Sequence, residues 1–199
     1  TFTLNSGATL ISGHQNGIYS TTANGNIQVT GARTYNAGAD YVFNYTGAGI
    51  QNTGTGFTAG NNVTINAANG ITLTSDAILS GTLTLNSTFN ASGRSLTLNG
   101  PAISGTPANL TTSSATNLAF GGTSTGITIP ASVTALNNLT ISNANGVSLG
   151  SSPVLSGGLA LNNGNLILGN YSISVTGTIT TSAAFDNTHM IVTEGTGSL

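Results

Sequence analysis

The sequence predicts an all-β fold, a parallel β-solenoid with coils of roughly 20–26 residues. Three observations point there: an internal repeat, a run of short alternating triplets, and a near absence of charge. The repeat comes first, because self-similarity at a fixed offset marks stacked architectures. Residues 61–86, NNVTINAANGITLTSDAILSGTLTLN, return as residues 137–162, NNLTISNANGVSLGSSPVLSGGLALN, with 15 of 26 positions identical and no gap. Most differences are mild, such as Val63 against Leu139 and Ile78 against Val154.

The triplets supply the secondary structure. From Asn61 onward the chain repeats an apolar–small–apolar motif: Val63-Thr-Ile65, Ile71-Thr-Leu73, Leu83-Thr-Leu85, Leu96-Thr-Leu98, Leu118-Ala-Phe120, Ile127-Thr-Ile129, Leu139-Thr-Ile141, Val147-Ser-Leu149, Leu159-Ala-Leu161, Leu166-Ile-Leu168 and Ile173-Ser-Val175. Successive side chains of a strand point to opposite faces, so the outer two residues share the buried face and the middle one faces out. No segment keeps a helical period. Triplets at 63 and 83, and at 139 and 159, recur after one interval, while those at 71 and 96, and at 147 and 173, give a longer one. Together these intervals set the expected coil length. The competing arrangement is an antiparallel sandwich or meander, because Asn-Gly at 69–70 and 145–146 is also a two-residue hairpin signal.

Residues 1–199 read as a single solenoid segment. Residues 1–60 form less regular first coils rich in aromatics, and residues 61–199 form the regular coils that contain the repeat. Thr1 opens the chain without Met and Leu199 closes it in mid-pattern, as expected of a piece of a longer protein.

Composition narrows the class of function. Only 3% of residues are charged and the net charge is −2, while Thr, Ser, Asn and Gly make up more than half the chain. Arg33 and Arg94, the two basic residues, cannot supply the clustered cations that nucleic-acid binding requires. No apolar run is long enough to span a bilayer, so membrane insertion is not expected. With no cysteine, disulfides and thiolate metal sites are absent from the reckoning. A hydroxyl- and amide-rich surface suits a secreted or cell-surface β-structure.

The blocks GARTYNAGADYVFNYTGAGIQNTGTGF, NNVTINAANGITL, LSGTLTLN and HMIVTEGTGSL resemble large repeat-rich surface proteins of Bacteroidota, of the kind exported by the type IX secretion system. The resemblance covers roughly residues 24–199. It implies a secreted or cell-surface, adhesin-like β-helical region. No sorting domain occurs in the chain, and the resemblance brings no catalytic residue with it.

Candidate chemistry is sparse. The acids Asp40, Asp76, Asp186 and Glu194 are widely spaced, and Asp76 is replaced by Ser152 in the second copy of the repeat. A polysaccharide-processing enzyme would need two of them together in a groove. Asp186, His189 and Glu194 form the best local cluster, but their spacing matches no metal motif. No catalytic residue, cofactor or metal is therefore assigned. Tyr41, Phe43 and Tyr45 alternate on one strand face, and with Tyr35 they are the candidates for ligand contact, against a role as core filler. Outward threonines at 64, 72, 82, 84, 97, 128 and 140 raise ice binding as a second option. The expectation is a non-catalytic stalk, filament or adhesin-like module. The alternatives are a carbohydrate- or ice-binding module and a polysaccharide-processing β-helix enzyme. Expected partners are further copies or continuing coils at the two ends, and surface glycans.

Overall fold

Short strands of alternating apolar and small residues cannot close a hydrogen-bond ladder with their own sequence neighbours when each is followed by a corner. They close it with the turn above and the turn below. The computed structural model, which describes residues 1–21 and 24–199, has this arrangement: every strand pairing within its sheets is parallel. The parallel β-solenoid is thus the fold, and the antiparallel sandwich or meander is not.

The chain winds around three sides. The longest side stacks seven strands: Ala59–Gly60, Ala77–Leu79, Ser95–Leu98, Asn117–Phe120, Asn138–Ile141, Leu159–Leu161 and Ile179–Thr181. At ~4.8 Å per strand this long sheet runs about 30 Å. In the first half the other two sides are a five-stranded sheet (Thr9–Ser12, Asp40–Phe43, Val63–Ile65, Leu83–Leu85, Ile103–Gly105) and a four-stranded one (Gln51–Asn52, Ile71–Thr72, Phe89–Asn90, Leu110–Thr111). In the second half they are two three-stranded sheets: Val147–Ser148, Leu166–Ile167 and Ile191–Val192, then Ala135–Leu136, Val154–Leu155 and Ser174–Val175. Phe2–Leu4 pairs with Arg33–Tyr35 at the start of the rod.

Register gives the coil length directly. Val63 lies opposite Leu83, and Leu83 opposite Ile103, so a turn there takes 20 residues. Along the body the step ranges from 18, Ile71 to Phe89, to 22, Ser95 to Asn117. It lengthens to 31 at the first coil, Thr9 to Asp40, and to 25 at the last, Leu166 to Ile191. The longer interval read from residues 71 and 96 is not a turn, because Ile71 belongs to the four-stranded sheet and Leu96 to the long one. The same holds for Val147 and the strand Ser174–Val175.

Inward residues form one continuous aliphatic column. Both outer residues of every triplet are buried except Val175, which is half-buried near the C-terminal end. Asn69-Gly70 and Asn145-Gly146 are corners. Gly70 N–H donates to Ala67 O at 3.0 Å and Gly146 N–H to Asn143 O at 2.9 Å, with φ of 80° and 76°. That left-handed backbone is what glycine supplies without strain, and the next strand then leaves on a different side.

The repeat does not superimpose side on side. Val63–Ile65 sits on the five-stranded sheet, whereas its counterpart in the second copy, Leu139–Ile141, sits on the long sheet. Counting the bridge at Thr128, the two positions are eleven strand positions apart, which is not a multiple of three. The tight Asn-Asn corner moves with it. At Asn61-Asn62 it lies on the downstream edge of the long sheet, and at Asn137-Asn138 on the upstream edge. Between the copies the rod therefore has a seam. The five-stranded sheet stops at Ile103–Gly105, and the side resumes only at the isolated bridge Thr128 to Ser148.

Core and outward positions on one strand should respond very differently to truncation. Ile141→Ala is expected to destabilise by about 2–5 kcal/mol and Thr140→Ala by less than about 0.5 kcal/mol. Chemical denaturation of the two variants checks this.

Candidate functional site

Aromatic side chains in the irregular first coils have large apolar area to bury and little aliphatic company. Tyr41 and Phe43 point inward from one strand and meet Phe57 from the next corner. Ring centroids lie 5.0 Å apart for Tyr41–Phe57 and 5.3 Å for Phe43–Phe57, both edge-on. Tyr41 and Phe43 are buried, so neither offers a face to a ligand, and of the two roles open to them they take that of core filler. Tyr35 is half-buried, packs on Phe2 and donates its hydroxyl to Tyr19 O at 3.1 Å. Tyr45 is half-buried on a corner, and its backbone N–H donates to the Gln51 side-chain oxygen at 3.2 Å. The four residues do not form one exposed platform.

Burial leaves a mark on these phenols. Desolvation raises the pKa of Tyr35, with the nearby Arg33 guanidinium opposing it. Tyr41 is pushed up to about 12, chiefly by burial and secondarily by Tyr35. Its hydroxyl has no hydrogen-bond partner among the described residues. Arg33 itself is buried at the start of the rod, where Nε donates to Ile27 O at 2.8 Å and Nη2 to Val29 O. Arg94 is exposed on a separate corner.

Polar side chains do converge at the corners. Asp40 Oδ1 accepts from Asn61 Nδ2, the Asn62 amide and Asn62 Nδ2 at 3.0, 2.9 and 3.1 Å. Asn62 Oδ1 accepts from Thr82 N–H at 3.0 Å. A longer ladder follows the upstream edge of the long sheet. Asp76 Oδ1 accepts from Ser95 N–H, Asn117 Nδ2 donates to Ser95 Oγ, Asn138 Nδ2 donates to Asn117 Oδ1, and Asn138 Oδ1 accepts from Gly158 N–H at 2.7 Å. Stacked coils repeat the same geometry at each level, so one amide can donate to the coil below and accept from the coil above. The Ser-Gly pairs at 80–81 and 156–157 belong to the same device. A Cβ on Gly81 would lie 2.6 Å from the side-chain oxygens of Asn61 and Asn62, and one on Gly157 2.5 Å from that of Asn138.

The four acids are scattered. Asp40 and Asp76 serve different corner ladders, and Asp186 and Glu194 lie in the last turn. Asp186 accepts from Thr188 N–H, Thr188 Oγ1 and His189 Nδ1, each at 2.7 Å. The two Thr188 bonds, ahead of His189, hold its pKa down to about 2. Glu194 is not among the hydrogen-bond partners of Asp186, Thr188 and His189. No group of three or more His, Cys, Asp or Glu positioned for a metal occurs among the described residues.

The outward threonines fall on several sides. Thr64 and Thr84 lie on the five-stranded sheet, Thr72 on the four-stranded sheet, Thr97 and Thr140 on the long sheet, and Thr82 at a corner. The long sheet carries outward Ile78, Thr97, Ala119, Thr140, Ala160 and Thr180 in one column, so threonine recurs only at alternate turns.

Sequence reasoning missed the corner asparagines and Gln51. Gln51 occupies an inward strand position yet is fully buried, donating to Ser12 O at 2.7 Å and His14 O at 3.1 Å. The asparagine signal was present as Asn-Asn followed 19 residues later by Ser-Gly in both copies. No family model, no curated protein and no solved structure matches the chain.

Two variants test these assignments. Tyr41→Phe removes a buried, unpartnered hydroxyl and is expected to be neutral or stabilising by up to about 1 kcal/mol, read as a rise in melting temperature. A raised phenol pKa in the folded state also means that stability holds below the unfolded value near 10 and falls as pH climbs towards about 12. Tyr41→Phe should flatten that alkaline decline. Asn138→Ala leaves the Gly158 donor without its acceptor and is expected to cost about 1–3 kcal/mol in urea unfolding.

Proposed function

We propose that this chain is a structural module of a secreted or cell-surface protein, a stiff non-catalytic rod serving as stalk, filament segment or adhesin-like layer. The observation that carries the reading is the parallel ladder of the long sheet, flanked at its corners by amide and hydroxyl ladders. Rigidity arises there without ion pairs, so it is insensitive to salt. Among the described residues the sole contact between a basic and an acidic side chain is His189–Asp186 in the last turn.

The outward columns support the same reading. Thr, Ser, Asn and Ala dominate them, offering hydrogen-bonding groups to glycans or to sister rods with little electrostatic repulsion at a net charge of −2. The last turn presents half-buried Val175, Ile179 and Ile191 beside strand edges, the kind of end that accepts a further coil or another copy. Resemblance to type IX-exported surface proteins of Bacteroidota agrees with an extracellular setting. In that setting the uncharged β-surface meets matrix or glycan, and the rod spaces whatever it carries.

Negative-stain micrographs of the purified chain are expected to show short rods that join end to end as concentration rises. In parallel, a panel of polysaccharides incubated with the protein should release no new reducing ends. Globular particles that stay single at all concentrations, together with cleavage of any polysaccharide, would replace this reading with the enzymatic one.

A further inference from the structure

The seam between the two copies of the repeat opens a cleft into the core. It is bounded on one side by Ile103, at the last strand of the five-stranded sheet, and on the other by Ile127 and Ile129, where that side resumes. Leu98 and Phe120 of the long sheet form its floor, and Ala102 and Ala131 stand exposed on its rim. The volume is about 350 Å³. We infer that this cleft is a binding site for a compact, uncharged, largely apolar small molecule.

Four observations select that ligand. First, the volume lies at the small end of the range of roughly 300–1,000 Å³ typical of small-molecule sites. Second, the wall contains only Gly, Ala, Leu, Ile, Pro, Phe and one Thr. With no cation or carboxylate lining it, an ionised ligand would lose its hydration without a counter-charge, which is costly. Third, two interrupted sheet edges border the cleft. Among the described residues, Ile103–Gly105 pairs only with Leu83–Leu85, and Thr128 only with Ser148. Their outward backbone groups, with the Thr128 hydroxyl, can bond one neutral donor or acceptor on the ligand. Fourth, the opening is held in place. The loop 121–126 beside the cleft is tied to the next coil, where the buried Asn143 donates to Ser124 O at 2.9 Å and Asn145 Nδ2 donates to Thr123 O. Asn143 Oδ1 in turn accepts from Asn145 N–H at 3.0 Å.

An extended peptide is the other occupant that free strand edges attract. It fits less well, because a cleft of about 350 Å³ holds only two or three residues, too few for a stable added strand. The site does not depend on the rod's role as a stalk, since it arises from the seam alone.

The test uses methyl-labelled full chain, with indole as the neutral probe, benzoate as the charged one and a capped Val-Thr-Val peptide as the strand mimic. Indole is expected to shift the methyl resonances of Ile103, Ile127 and Ile129 in a saturable way, with benzoate and the peptide weaker by at least roughly tenfold. Ala102→Phe and Ala131→Phe place a ring over the rim, and each should weaken indole by a similar factor. Their circular dichroism and melting temperature should match the parent, because both positions are exposed. Three results would overturn the assignment: no cleft methyl responds to indole at millimolar concentration, both folded rim variants bind as the parent does, or benzoate or the peptide binds as well as indole. Loss of fold in one variant leaves the other, and the three-probe comparison on the parent, to decide.

Discussion

In-register parallel stacking places each residue directly above its counterpart one turn earlier, and almost every feature of this rod follows from that placement. An aliphatic side chain that points inward must be met by another at the next level, so Leu83 stacks on Val63 and Leu159 on Leu139. An asparagine at a corner must find an amide or backbone partner at the same corner, so Asn138 reaches both Asn117 and Gly158. Mismatches are costly because a coil has no alternative neighbour with which to repack. The stabilising terms are therefore short-range and uncharged: burial of the column, and bonds whose donors and acceptors are replaced in kind at every turn.

That constraint explains which parts of the molecule were legible in the sequence. Alternation within each triplet sets inside from outside, and the buried set agrees with it down to Val175. The interval from Val63 to Leu83 is the true turn, because both residues lie on one sheet. What local pattern does not encode is which of three similar sides a triplet occupies. Ile71 and Leu96 look like partners by spacing, yet they belong to different sheets. The alternation of Tyr41, Phe43 and Tyr45 leaves core filling and a surface row both open. The widened first coils, with a 31-residue step, decide for filling at Tyr41 and Phe43. Gln51 was illegible for a related reason: a lone amide in an inward position is satisfied by carbonyls of the preceding coil, 37 and 39 residues earlier.

The scattered acids and the seam belong to one picture. A solenoid brings distant residues together only if they share a side and differ by whole turns, and Asp40, Asp76, Asp186 and Glu194 do not fall that way. The seam arises because the tight Asn-Asn corner changes edges of the long sheet. Over that stretch the long sheet continues while the five-stranded side lapses. Apolar residues that a continuous ladder would cover, Leu98 and Ile127, reach 6% and 7% exposure there while most of the column is sealed.

The displacement of the two copies by eleven strand positions has a bearing on how such a chain lengthens. If a duplicated stretch had to return to the same side, only insertions of complete turns would survive. Here a copied segment has settled one side away and still fits, because all three walls accept the same aliphatic-threonine-aliphatic word. The stretch that recurs spans four strands with their corners, and its second occurrence stands out of phase with the turn, leaving a fissure in the wall between the two.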